Sequence, residues 1–204
     1  MTSVNDPTAG LRERVRSGDA DAFGAVFDAC AKPVYNHAFR LVGDWSAAED
    51  VMSATFLEAW RGRARIAKDG GSLYPWLLGI ATNLARGHRR ASDRYRRAVE
   101  RLPVFDGFPD FADDVTGRID DAARIAALHR ALRSLREPEL EVLALCVWSD
   151  LCYADAAEAL DVPVGTVRSR LSRARTRLAR LIDEEMKAVP QAAQPPVPAK
   201  EAQQ

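Results

Sequence analysis

Residues 153–182 constrain the chain more than any other stretch. Tyr153-Ala-Asp-Ala-Ala-Glu-Ala-Leu160 has the composition of a short helix, Asp161-Val162-Pro163 that of a turn, and Val164 opens a long helix. Projected at about 100° per residue, Val164, Val167, Leu171, Ala174, Leu178, Leu181 and Ile182 share one flank. Ser169, Ser172, Arg173, Thr176 and Arg180 lie opposite, with Arg168, Arg170, Arg175 and Arg177 beside them. Residues 162–182 carry six arginines and no acid. A merely solvated helix interleaves Glu with Lys or Arg to gain i,i+4 pairs, and this one forgoes them. Arginine also forks onto guanine edges and phosphates, which a lysine point charge does not. A short helix, a tight turn and a long basic helix form the layout of a helix-turn-helix whose second helix enters the major groove. Ala156, Ala157 and Ala159 are small enough to let the two helices approach closely.

The formal net charge of the 204 residues is zero, yet the charge is sorted into blocks. Residues 61–104 hold 11 basic and 3 acidic side chains, whereas residues 105–161 hold 5 and 13. Two cationic blocks, each beside an acidic one, suit a polyanion met at two places. The first block contains Ser72-Leu-Tyr-Pro-Trp-Leu-Leu-Gly-Ile-Ala-Thr-Asn-Leu-Ala-Arg-Gly-His-Arg-Arg90, continuing to Arg94, Arg96 and Arg97. Leu73, Trp76, Leu77, Ile80 and Leu84 form its apolar face, and Gly79, Thr82, Asn83, Arg86, Arg89 and Arg90 point the other way. Asn83 offers a base both a donor and an acceptor, the arginines neutralise phosphate, and Gly79 lets a backbone or base come near. Taken alone, this block reads equally well as a solvated helix over core aromatics. Tyr74 and Trp76 fit packing better than stacking on bases, although single strands do favour aromatic and arginine surfaces.

Elsewhere helical spacing recurs and no strand-like alternation persists, so the expected fold is all-α. The predicted helices are 11–17, 21–31, 33–42, 46–61 and 73–91, then 120–135, 138–148, 153–160 and 164–186. Pro33 is expected to separate the second from the third, and Ser46 with Glu49 to form a capping box. Residues 92–119, with Pro103, Gly107, Pro109 and Gly117, read as an acidic linker holding Phe105, Phe108 and Phe111. This divides the chain into a disordered 1–10, a first domain 11–95, a linker 96–119, a second domain 120–187 and a disordered Pro-rich tail 188–204.

Several functions are excluded. The longest apolar run, Val142–Trp148, is far shorter than the roughly 20 residues of a membrane span, and Met1–Gly10 shows no secretory signal. Cys30, Cys146 and Cys152 fit neither a disulfide framework nor a zinc module. His37, His88 and His129 are scattered, and no HExxH, GxSxG or Gly-rich phosphate loop is present. No catalytic residue, metal site, cofactor or small-molecule substrate is expected. A repressor or activator bound to paired half-sites would need a dimerisation face, and none is obvious.

Four passages resemble one family, the extracytoplasmic-function sigma factors of bacterial RNA polymerase. They are Phe23-Gly-Ala-Val-Phe27 with Leu41-Val-Gly-Asp44; Ala48-Glu-Asp-Val-Met-Ser-Ala-Thr-Phe-Leu-Glu-Ala-Trp60; Pro75-Trp-Leu-Leu-Gly-Ile-Ala-Thr-Asn83; and Val164-Gly-Thr-Val-Arg-Ser-Arg-Leu-Ser-Arg-Ala-Arg175. The resemblance spans about residues 20–97 and 120–186, and implies two helical domains, region 2 and region 4. It implies that Asp50, Glu58 and Arg61 dock on the clamp helices of the polymerase's largest subunit, with region 4 on the flap of the other large subunit. It assigns Trp76, Thr82, Asn83, Arg86, Arg89 and Arg90 to the −10 element, Asn83 holding an extruded base. It assigns Thr166, Arg168, Ser169, Arg170, Ser172, Arg173 and Arg177 to the −35 element. Promoter DNA, core polymerase and an anti-sigma factor are the implied partners, the cytoplasm the implied location. A more basic first long helix, common among relatives, is not found here. The acidic linker would suit a channel that later holds RNA, and about 24 extended residues reach roughly 80 Å.

Overall fold

A computed structural model describes residues 8, 10–99, 131–132 and 134–188, with side chains for all but 96–99 and 185–188. The expected helix over 120–130, the acidic linker beyond residue 99, the tail 189–204 and residues 1–7 lie outside the described residues. Among the described residues there are helices and turns and no strand.

Helix α1 (Arg12–Ser17) leads into α2 (Ala20–Val42), α3 (Trp45–Gly62) and α4 (Tyr74–Val99). Asp19 and Asp44 cap α2 and α3, their carboxylates accepting from the amides of Ala22 and Ala47. The α3 cap therefore falls two residues before the expected Ser46; Ser46 and Glu49 are exposed in the first turn. Pro33 does not end a helix. It lies inside α2, where Val26, Cys30, Val34, Ala38 and Leu41 are buried on both sides of it. That continuous buried stripe outweighs the one backbone hydrogen bond proline removes. Between α2 and α3 Gly43 adopts φ +73°, a left-handed cap suited to glycine.

Helix α4 also outlasts its expected end at residue 91, so the start of the expected linker is helical. Leu73, Leu77, Leu78, Ala81 and Ala85 are buried at its base, against α2 and α3. Its entry is held from far upstream. The Arg12 guanidinium donates to the carbonyls of Ala67, Gly71 and Ser72. Thr8, placed by sequence in a disordered start, is buried and accepts from the Leu73 amide.

Helix α5 (Glu137–Leu143) runs into a π-helical turn, Ala144–Trp148, then α6 (Tyr153–Leu160) and α7 (Val164–Ala188). The Arg136 amide donates to Glu139, closing the α5 N-terminus. Asp161 ends α6 in the left-handed region, φ +52°, which Asp tolerates better than most residues. Pro163 accepts from Thr166 and starts α7. Leu140, Leu145, Ala156, Ala157 and Leu160 are buried together with Val167, Leu171 and Ala174 of the flank the periodicity predicted for α7, whereas Val164, placed on the same flank, is exposed because it opens the helix beyond the core. Of the described residues, those up to Val99 and Arg136–Ala174 belong to one compact unit, and 131–132 and 134–135 together with Arg175–Ala188 belong to another. In the latter, Arg180 and Glu184 form an exposed i,i+4 pair at 3.7 Å.

Candidate nucleic-acid interface

The early turns of α7 set their arginines apart from their core. Val167, Leu171 and Ala174 are buried, while Arg168, Ser169, Ser172, Arg173 and Arg175 are exposed. Thr166, Arg170 and Arg177 are half-buried. Arg173 Nε donates to the Ser169 carbonyl at 3.2 Å, and the Arg168 guanidinium lies 5.9 Å from the centroid of the Tyr153 ring. Both contacts are local and exposed, and water or a phosphate can replace them at little cost.

On α4 the expected polar face is divided. Asn83 and Arg90 are exposed, and Trp76, Arg86 and Arg89 are half-buried. Asn83 Oδ1 accepts from Arg86 at 3.2 Å. Gly79 and Thr82 do not face solvent as the projection had them: both are buried. A Cβ on Gly79 would sit 2.7 Å from the carbonyl oxygen of Ala159, so glycine is needed because the α6 backbone passes there. Arg86 forks onto Glu141 of α5 at 2.9 and 2.8 Å, and the carboxylate raises the arginine's pKa further above its usual range.

Thr82 donates its hydroxyl proton to the Leu78 carbonyl, leaving its oxygen to accept from His37 Nε2 at 2.9 Å. His37 is therefore protonated at Nε2, and Ser149 Oγ lies 3.5 Å from Nδ1. Burial, with Arg40 nearby, pushes the His37 pKa down to about 3. Between that value and the ordinary value of 6.5 the unfolded chain binds a proton that the folded chain refuses. Stability therefore falls on acidification below 6.5, by about 1.4 kcal/mol per pH unit from this residue. Chemical denaturation at pH 7 and pH 5 measures this loss, and His37→Gln removes the His37 part.

On α3, Asp50 is exposed and Glu58 pairs with Arg61 at 3.0 Å, also exposed. The sequence reading missed two exposed apolar side chains, Leu57 of α3 and Phe27 of α2, the latter edge-on to Phe56. Leu57 sits between Phe56 and Glu58 in the sequence, but only the register of α3 tells which of the two apolar neighbours is outside. It also missed Glu141, which carries no local signal 55 residues from its arginine. Cys152 is exposed and accepts from the Asp155 amide at the α6 N-terminus. Among the described residues no cluster of His, Cys, Asp and Glu suits a metal ion, and no helix is long and apolar enough to cross a membrane.

A helix-turn-helix with an exposed arginine flank, together with a basic helix in a small bundle, defines a helical DNA-binding protein. Family models agree with this and sharpen it: Sigma-70 region 2 matches residues 26–95, and Sigma-70 region 4 matches residues 125–178. The ECF RNA polymerase sigma factor BldN of Streptomyces coelicolor is 32% identical over 86% of this chain and 66% of its own length. The RNA polymerase sigma-H factor of Pseudomonas aeruginosa is 32% identical over 81% of this chain and 88% of its own. Among solved structures, the sigma factor RpoE of Bartonella quintana, in complex with the anti-sigma factor NepR, superposes with a TM-score of 0.60. It is 26% identical and covers 80% of this chain and 98% of its own. The chain belongs to the extracytoplasmic-function sigma factors of the sigma-70 family.

Proposed function

We propose that this sigma factor mounts on core RNA polymerase and brings two basic surfaces to one promoter, α7 to the −35 duplex and α4 to the −10 element. The observation that carries it is the exposed flank of Arg168, Ser169, Ser172 and Arg173 on the second helix of a helix-turn-helix. Residues 11–95 serve as region 2 and residues 120–187 as region 4, joined by the acidic 96–119. Asp50, Glu58 and Arg61, with the exposed Leu57 of the same helix, suit docking on the clamp helices, with region 4 on the flap. Arg89 and Arg90 grip the backbone of the melted strand and Asn83 holds an extruded base, offsetting lost stacking. The factor works in the cytoplasm without catalysing a reaction of its own. An anti-sigma factor holds it inactive, as the NepR complex of the Bartonella relative suggests.

Co-purification with core polymerase, followed by footprinting on a promoter fragment, tests this reading; protection of a duplex by the chain alone, as a dimer, would contradict it. Asn83→Ala separates the two surfaces: holoenzyme still binds the closed duplex, while open-complex formation, read by permanganate reactivity of the melted thymines, falls about tenfold or more.

A further inference from the structure

The face of α4 read above as a DNA grip is the face that α6 packs against and that α5 reaches with Glu141. Gly79 meets the Ala159 backbone, and Arg86 is held by Glu141, whose side chain is 3% exposed. Two more contacts border the seam. Arg40 of α2 lies 5.5 Å from the centroid of the Trp148 ring, and Ser149 Oγ lies 3.5 Å from His37 Nδ1 of the same helix. Asn83 and Arg90 stay exposed at the edge, so the cover is partial and centred on residues 79–86.

We propose that the segment Glu137–Leu160 is an internal mask for α4, with the Glu141 carboxylate occupying the guanidinium that a phosphate would otherwise take. A carboxylate accepts a guanidinium fork much as a phosphate does, so Glu141 and nucleic acid compete for Arg86. Separation rehydrates both charges together, which makes the pair releasable; removing one partner alone leaves the other without compensation. Gly79 serves the same end, because a side chain there would hold α6 off. Only chains whose α4 is uncovered then bind through residues 79–86, and apparent affinity is reduced by that fraction. This rests on the reading of α4 as a DNA surface, and the test separates the two.

The full chain is compared with Glu141→Gln and with Trp148→Ala, the latter loosening the seam without changing an acid. Hydrogen exchange reports uncovering in peptides from 74–86 and 137–160, with circular dichroism showing that helicity is retained. Fluorescence anisotropy of a fluorescein-labelled random single-stranded oligonucleotide at low salt reports binding. Both variants are expected to exchange faster across the seam and to bind about fivefold tighter or more. Adding Arg90→Ala should remove most of that gain. Unchanged exchange in both variants overturns the mask, as does faster exchange with unchanged affinity. A gain that survives Arg90→Ala leaves the uncovering intact and places the nucleic acid elsewhere than α4, which overturns the underlying reading instead. If Glu141→Gln loses helicity, Trp148→Ala alone decides.

Discussion

With Arg168 and Arg173 both replaced by alanine, holoenzyme should lose −35-dependent initiation by on the order of 10²-fold. Each guanidinium that reaches a base edge contributes about 1–3 kcal/mol, and a loss of 10²-fold corresponds to about 2.7 kcal/mol. The two sit five residues apart on the exposed flank of α7, close enough that their effects need not add fully. The helix itself should not suffer, because both side chains are exposed and alanine is the stronger helix former. An unchanged melting temperature with lost initiation marks a recognition defect. Arg173→Ala alone should relax preference at one −35 position; equal weakening on every promoter would identify a phosphate contact instead.

The second large effect is structural. Leu77 is fully buried at the base of α4, among Leu73, Leu78, Ala81 and Ala85. Leu77→Ala should cost about 2–5 kcal/mol, part lost transfer energy and part the cavity left behind. For a chain of this size that lowers the melting temperature by on the order of 10 °C. Leu57→Ala on α3 provides the contrast: Leu57 is half exposed, and its replacement should change stability by less than about 0.5 kcal/mol. A small effect at Leu77 would mean that α4 is not seated on α2 and α3 as described.

Periodicity and charge were enough to find α7 and its flank, because an unbroken apolar stripe and an acid-free arginine run are both local properties. The same reasoning named Gly79 as a point of close approach but set it on the solvent face, whereas it is buried against the Ala159 backbone. The failures have physical causes. Pro33 reads as a helix break from its own chemistry, yet the buried residues on either side hold α2 together. Asp44 and Ser46 are both good caps, and nothing local ranks the aspartate first. The end of α4 is hidden because beyond residue 91 only Tyr95, Ala98 and Val99 interrupt the polar residues, too few to continue an apolar stripe. Arg12 and Glu141 each meet partners more than 50 residues away, and no spacing rule reaches that far. The face of α4 was legible as amphipathic, but which polar residues another element covers is a tertiary fact.

Transcription by reconstituted holoenzyme on a library randomised across both promoter elements examines the two basic surfaces together. Enriched templates should carry two short conserved blocks at fixed separation, with the upstream block degraded by Arg173→Ala and the downstream block by Asn83→Ala. A library that yields no enrichment over core polymerase alone, or a single block untouched by either substitution, would contradict the assignment of α7 and α4 to promoter DNA.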